Sequence, residues 1–244
     1  MIYVMSDIHG NFRRFRSIME QIHLQSEDTL YILGDVIDRH PGGIRILRWI
    51  MEQPNVKMLL GNHEFMMLRA LERPYDEEDV PGPGDMKLWH MNGGAVTHQS
   101  LKHQRLVVRE QIIQYLRGLP LSYDLSLNGI DYKLVHGAPP DKYNAAFRSY
   151  KSRTHYSVWK RTYAFELKNE DYTLIFGHTP TLDYQPDCPM KIWRGRRKIG
   201  IDCGSGYPED PQEKYLKYGR LACLRLDDMA EFYSDEPWKE KNNE

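Results

Sequence analysis

Short apolar runs of four to six residues punctuate the chain, and five of them end in a small polar motif. Ile2 to Met5 leads into Ser6-Asp7, Thr29 to Leu33 into Gly34-Asp35, and Val56 to Leu60 into Gly61-Asn62. Farther on, Tyr132 to Val135 leads into His136-Gly137 and Tyr172 to Phe176 into Gly177-His178. Their length and their Ile, Val, Leu and Tyr content fit buried strands rather than helices. Between the first three runs, Phe12, Phe15, Ile18, Met19 and Ile22 recur at helical spacing, as do Ile44, Leu47 and Met51. This β-α-β-α-β order predicts a parallel sheet in the first third of the chain.

The pattern changes from about residue 73 to 118, which reads as a helical insertion or cap. It opens with a loop rich in Pro, Gly and acid (74 to 85), followed by helical patterns through Leu88 to Leu101 and Leu106 to Leu116. Leu121 to Leu127 and Ile130 to Val135 flank Asn128-Gly129, a two-residue hairpin signal. Strand-like runs follow at Met190 to Trp193, Lys198 to Ile201 and Leu221 to Leu226. The expected architecture is α/β, a packed pair of mixed sheets flanked by helices. One domain is expected over residues 1–236, with a frayed polar tail at 237–244.

Composition adds exclusions. Lys plus Arg total 33 against 34 Asp plus Glu in 244 residues, so a nucleic-acid partner is not expected. Arg194, Arg196, Arg197 and Lys198 form one basic cluster, read as a solvated hairpin edge. Cys188, Cys203 and Cys223 form no CxxC pair, which fits a reducing compartment. No signal peptide and no membrane span are expected, so a cytoplasmic location is.

Asp7-Ile8-His9 places two potential ligands two residues apart just beyond a strand, on one side. Asp35 ends the second run, with Asp38-Arg39 close behind it, and Asn62-His63-Glu64 follows the third. An oxygen and imidazole donor set suits Mn, Fe or Zn, and the absence of cysteine argues against a structural zinc site. A central carboxylate can bridge two cations, which would activate a water and clamp phosphoryl oxygens. Blander readings stand beside these. Asn11 fits a helix N-cap, Asp38-Arg39 a surface ion pair, Gly34, Gly61 and Gly177 tight turns, and Met66, Met67 and Leu71 core.

Asp7-x-His9-Gly10-Asn11, Gly34-Asp35-x-x-Asp38-Arg39, Gly61-Asn62-His63-Glu64, His136-Gly137 and Gly177-His178 occur in the order found in the calcineurin-like metallophosphoesterases, which the chain resembles. Asp38-Arg39, Trp89…Asn92-Gly93-Gly94…Thr97 and Ile201-Asp202-x-Gly204 resemble most the bacterial and phage serine/threonine phosphatase branch. That branch is similar to the diadenosine tetraphosphate hydrolases. Pro180 stands where the superfamily's usual Gly-His-x-His has its second histidine, which disfavours the nuclease members.

The resemblance implies a first divalent ion, most simply Mn, on Asp7, His9 and Asp35. A second would sit on Asp35, Asn62, His136 and His178, and a metal-bound hydroxide would attack the phosphate ester directly. It also implies that Arg39 grips phosphate and that His63, oriented by Asp38, protonates the leaving oxygen. Arg161 is the choice for a second phosphate clamp, with Arg148 and Arg153 as competitors. The expected substrate is a phosphorylated protein or small phosphorylated compound. The leading activity is a serine/threonine protein phosphatase, the alternative a nucleoside polyphosphate hydrolase. A non-catalytic binding module is disfavoured because every implied ligand is present. Asp76, Glu77, Glu78 and Asp79 read as a solvated loop, or as an acidic lip that would disfavour a nucleotide if they faced the site.

Overall fold

The structure is a computed structural model that describes residues 1–167, 170–186, 190–207 and 219–234; the tail expected at 237–244 lies outside them. Strands β1 (Ile2–Met5), β2 (Thr29–Ile32) and β3 (Val56–Met58) pair in parallel, linked by α1 (Phe12–Ile22) and α2 (Gly43–Glu52). The antiparallel strands β9 (Ala222–Arg225) and β10 (Glu231–Tyr233) complete this sheet in the order β10-β9-β1-β2-β3. The second sheet runs β4-β5-β6-β8-β7, from β4 (Ser122–Leu127), β5 (Ile130–Val135), β6 (Thr173–Phe176), β7 (Trp193–Gly195) and β8 (Lys198–Gly200). Two mixed sheets flanked by helices are therefore the architecture.

Alternation along the strands divides the core. Tyr3 and Met5 join Phe15, Ile18, Ile44 and Leu47 beneath the helices, whereas Val4 joins Leu134, Ile175 and Ile199 between the sheets. Leu30 and Ile32 against Tyr31 and Leu33 repeat the division on β2. Each such aliphatic side chain contributes about 1.5–3 kcal/mol when fully buried. Asn128 and Gly129, at φ 52° and 75°, close the β4–β5 hairpin with Leu127 opposite Ile130, as the sequence predicts. Asn11 caps α1 by accepting from Arg14 N at 3.2 Å. No helix among the described residues is long and apolar enough to cross a membrane.

Helix α3 (Asn62–Ala70) follows β3 directly, and the insertion packs on it and on α2 through α4 (Asp85–Trp89), α5 (Ala95–Lys102) and α6 (Leu106–Arg117). Three sequence expectations need correction. The pattern through Leu88 to Leu101 is not one helix, because a wide turn at His90–Gly94 separates α4 from α5. Gly93 sits there at φ 94°, its carbonyl accepting from Arg39 N at 3.1 Å, and a Cβ at Gly93 would collide with Arg39. The strand expected at Met190 begins only at Trp193, since Met190 has φ 61°. Lys198 is not part of a solvated basic edge. Arg194, Arg196 and Arg197 are exposed, but Lys198 is buried, its ammonium donating to the carbonyls of Tyr163, Ala164 and Glu166.

Candidate metal centre

The turns after β1, β2, β5 and β6 and the start of α3 converge at one end of the two sheets. There the chain folds into conformations that only tertiary contacts sustain. Asp7, His9, Asp35, Asp38, Arg39 and His178 all have positive φ, between 51° and 72°. Left-handed backbone costs a non-glycine residue energy, and its concentration here ties these side chains to a common geometry. Gly61 and Gly177 serve close approach rather than a turn: a Cβ on Gly61 would fall on the Asp35 carboxylate, and one on Gly177 on Ser6 and Asp7.

Asp35 lies at the middle of two donor groups, His9–Asp35–His63 and Asp35–His136–His178. His136 Nε2 is 3.5 Å from Asp35 Oδ1, and His9 Nε2 is 3.7 Å from Asp35 Oδ2 and 3.9 Å from Asp7 Oδ1. Asn62 Oδ1 lies 2.9 Å from His136 Nε2. These separations suit donors converging on shared ions at about 2.0–2.2 Å each. Backbone carbonyls set the ring orientations. His136 Nδ1 faces Leu33 O at 2.7 Å and His9 Nδ1 faces Ile37 O at 3.3 Å, which leaves both Nε2 lone pairs for an ion. His178 is turned the other way: its Nε2 faces Trp159 O at 3.2 Å, so Nδ1 is its free donor.

The buried charges favour cations as well. Burial, then the neighbouring Asp35 carboxylate, pushes Asp7 up to about 7. Burial, then Asp7, pushes Asp202 up to about 8. Burial opposes the charge on Asp35 too, but His136, His63, His9 and His178 hold it below the usual carboxylate range. Burial, reinforced by Arg39 and His63, keeps His9 neutral, and burial with His136 lowers His178 to about 3. Neutral imidazoles facing crowded carboxylates are the protonation states in which such side chains bind divalent ions.

His63 differs from the other histidines. Its Nδ1 is 2.7 Å from Asp38 Oδ2, and Trp89 Nε1 donates to both Asp38 oxygens at 3.1 and 2.9 Å. Asp38 N donates to Thr97 Oγ1 at 2.9 Å. Burial works against a charged His63, but Asp35 and Asp38 outweigh it and raise its pKa. Its Nε2 is near enough to His9 and Asp35 to join the first donor group, yet Arg39 Nη2 stands 3.4 Å away. A guanidinium beside Nε2 disfavours a metal ion there, and it works against the imidazolium that Asp35 and Asp38 favour. An anionic phosphate between them resolves that conflict.

The pocket is lined by Asp7, His9, Asp35, Arg39, Asn62, His63, Arg161, His178 and Asp202, and holds about 170 Å³. Arg161 reaches it while pairing with the exposed Asp183 at 3.1 Å, whereas Arg148 and Arg153 are exposed and do not line it. None of Asp76, Glu77, Glu78 and Asp79 lines the pocket, and Glu77 and Glu78 are exposed. Asp79 is buried against Arg69, and Asp76 accepts from Thr154 Oγ1 at 2.6 Å.

Glu64 was legible only as part of a motif. Its carboxylate accepts from Asp35 N at 2.9 Å and Gly61 N at 3.2 Å through one oxygen, and from Val36 N at 2.8 Å and Ile37 N at 3.2 Å through the other. It therefore joins the turn carrying Asp35 to the turn carrying Asn62. A glutamate three residues beyond the Gly61 N-cap is the available sequence signal. Burial, then Asp35, pushes Glu64 up to about 7, although four N–H donors call for its anion.

The two-sheet α/β fold thus gathers Asp, His and Asn donors at one end, with Arg39 and Arg161 lining the same pocket. The chain belongs to the calcineurin-like phosphoesterases, whose family model matches residues 1–218. It is 28% identical over 140 residues to "Serine/threonine-protein phosphatase 2" of Escherichia coli (57% of this chain, 59% of that one). It is 24% identical over 173 residues to a symmetrical bis(5'-nucleosyl)-tetraphosphatase of Nitrosospira multiformis (62% and 61%). The chain thus spans about three-fifths of the length of each of these relatives. A protein serine/threonine phosphatase from Saccharomyces cerevisiae shares the fold, with a TM-score of 0.55 at 13% identity over 96% of this chain and 78% of that one.

Proposed function

We propose that the chain is a dinuclear-metal phosphomonoesterase acting on phosphoserine and phosphothreonine in proteins. One observation carries the substrate reading. The 170 Å³ pocket admits a phosphoryl group, and two grooves adjoin it through shared walls. One groove is lined by Arg39, His40, Met91, Asn92, Gly93 and Gly206, the other by Tyr150, Trp159, Lys160, Arg161, Tyr163 and His178. An extended peptide can cross such a cleft with its phosphorylated side chain directed inward.

Asp7, His9 and Asp35 would hold one ion, and Asp35, Asn62, His136 and His178 the second. The ions supply Lewis-acid polarisation and a lowered water pKa. Arg39 and Arg161, which both line the pocket, bind the phosphate oxygens. His63 carries the proton at Nε2 and delivers it to the departing serine or threonine oxygen, while Asp38 accepts from Nδ1 and fixes the ring. Hydrolysis of a dinucleoside polyphosphate is the second reading. It is favoured by the lining of the pocket, which includes none of the four acids Asp76 to Asp79 that would repel a nucleotide there, Asp76 and Asp79 being held by Thr154 and Arg69. Catalytic efficiency on phosphoserine and phosphothreonine peptides and on diadenosine tetraphosphate, measured under matched Mn and salt, tests the choice. Preference for the peptides is expected, and a clear preference for the dinucleotide overturns the protein-phosphatase reading.

A further inference from the structure

The groove beside Arg161 carries more aromatic surface than a phosphate site requires. Tyr150, Trp159 and Tyr163 line it with Lys160, Arg161 and His178, around a space of about 280 Å³. Trp159, Arg161 and His178 are also walls of the metal pocket, so the two spaces adjoin. The two loops that frame the groove leave further rings exposed. Tyr163 is 48% exposed and Phe165 68%, and the two stack with centroids 5.6 Å apart and an interplanar angle of 1°. Phe147 is 44% exposed and stacks on the buried Tyr156, against which Tyr150 packs edge-on at 5.2 Å.

Exposed rings cost hydration free energy, and their concentration beside a reaction centre marks a contact surface rather than core. The charges agree with this. Lys160 Nζ lies 4.7 Å from the centroid of the Tyr163 ring and is paired with Glu166, while Arg161 points toward the phosphate pocket. Aromatic walls beside Arg161, which lines both spaces, match a flat ring tethered to an anion.

We propose that this groove is a subsite for an aromatic ring that the substrate carries within reach of its scissile phosphate. The inference rests on phosphate-ester hydrolysis at the adjoining centre but not on the protein-phosphatase reading. A nucleobase and an aromatic side chain flanking a phosphorylated residue present the same flat ring to the groove. There Tyr163, already stacked with Phe165 and under Lys160 Nζ, forms a packed wall beside Tyr150 and Trp159. The subsite selects for the ring, and the anchor that carries it separates the two sources.

Binding of non-hydrolysable phosphonates tests the subsite without turnover. Calorimetry on the Mn-loaded protein compares benzylphosphonate with methylphosphonate. Stacking of a base on an aromatic residue contributes about 1–3 kcal/mol, or about 5- to 150-fold in affinity. The benzyl compound is expected to bind at least about fivefold tighter. Tyr163→Ala and Tyr150→Ala are expected to bring that ratio toward one, and Tyr163→Phe to retain it. A wild-type ratio of one, or a ratio that both alanine variants leave unchanged, overturns the proposal. The source is read from catalytic efficiency on diadenosine tetraphosphate and on phosphoserine peptides with Phe or Ala beside the phosphoserine. A larger loss in Tyr163→Ala on the dinucleotide, or on the Phe peptide relative to the Ala peptide, supports the subsite and names its source. Loss on neither overturns it. Failure of the wild-type protein to hydrolyse any phosphoserine peptide removes the protein-phosphatase reading alone.

Discussion

Trp89→Phe separates a tryptophan that fills space from one that holds the proton donor. Both Trp89 and Asp38 are fully buried, and the indole N–H is shared between the two Asp38 oxygens at 3.1 and 2.9 Å. A hydrogen bond to a charged group contributes about 1.5–3 kcal/mol. The missing half of the indole adds a cavity cost, for a total of about 2–4 kcal/mol, which a protein of about 5–15 kcal/mol stability survives. If about half of the lost hydrogen bond acts in the transition state, through the hold of Asp38 on His63, turnover falls about 4- to 12-fold. That loss belongs only to substrates whose leaving oxygen needs a proton. The assay is kcat and KM on an alkyl phosphate and on p-nitrophenyl phosphate, whose leaving group departs as a stable anion, with metal content measured on the same samples. The expected result is a drop of about 4- to 12-fold in kcat on the alkyl ester, a small change on the aryl ester, and both metals retained. His63→Asn serves as the upper bound, with a loss of about 10²–10⁴-fold on the alkyl ester. Equal losses on the two esters in Trp89→Phe would refute the chain of reasoning from indole to leaving group.

Glu64→Ala strips the acceptor from four backbone N–H groups, and at about 1–3 kcal/mol for each group left unpaired it is expected to lose the folded, metal-binding state; urea melts and metal analysis check this. Arg161→Ala is expected to weaken competitive inhibition by inorganic phosphate by about tenfold with both metals retained, while Arg153→Ala is expected to have no effect; the opposite pattern moves the clamp to Arg153. The metal-free protein should lose stability as pH rises from 6.5 to 8. Over that window Asp7 and Glu64, pushed up to about 7, and Asp202, up to about 8, still hold protons in the folded state that the unfolded chain has already released. Each such proton lowers stability by about 1.4 kcal/mol per pH unit. His63, with its raised pKa, acts in the same direction; His9 and His178, held neutral in the fold, oppose the fall only near pH 6.5, where the unfolded chain's imidazoles still carry protons. A metal-free Tm that is flat or rises over this range contradicts the reading, and added Mn is expected to flatten the fall.

What the sequence determined by itself was local. A short, largely apolar strand leading within a few residues into Asp7, Asp35, His136 or His178 is written in neighbouring positions, and so is the hairpin at Asn128-Gly129. These signals need no knowledge of what lies opposite, because strand periodicity and turn chemistry act within a few residues. The tertiary structure decided whatever depended on segments distant in sequence meeting. Arg161 rather than Arg148 or Arg153 faces the pocket only because the chain after Trp159 runs beside His178. The pattern through Leu88 to Leu101 could not reveal its own break, since Gly93 is there to meet Arg39 and Trp89 to meet Asp38, both 51 or more residues earlier. Lys198 reads as a surface charge until three carbonyls from the loop after Arg161 close over it. Periodicity specifies which face of an element is apolar, and it carries no record of the buried polar partner that a distant segment will bring to that face.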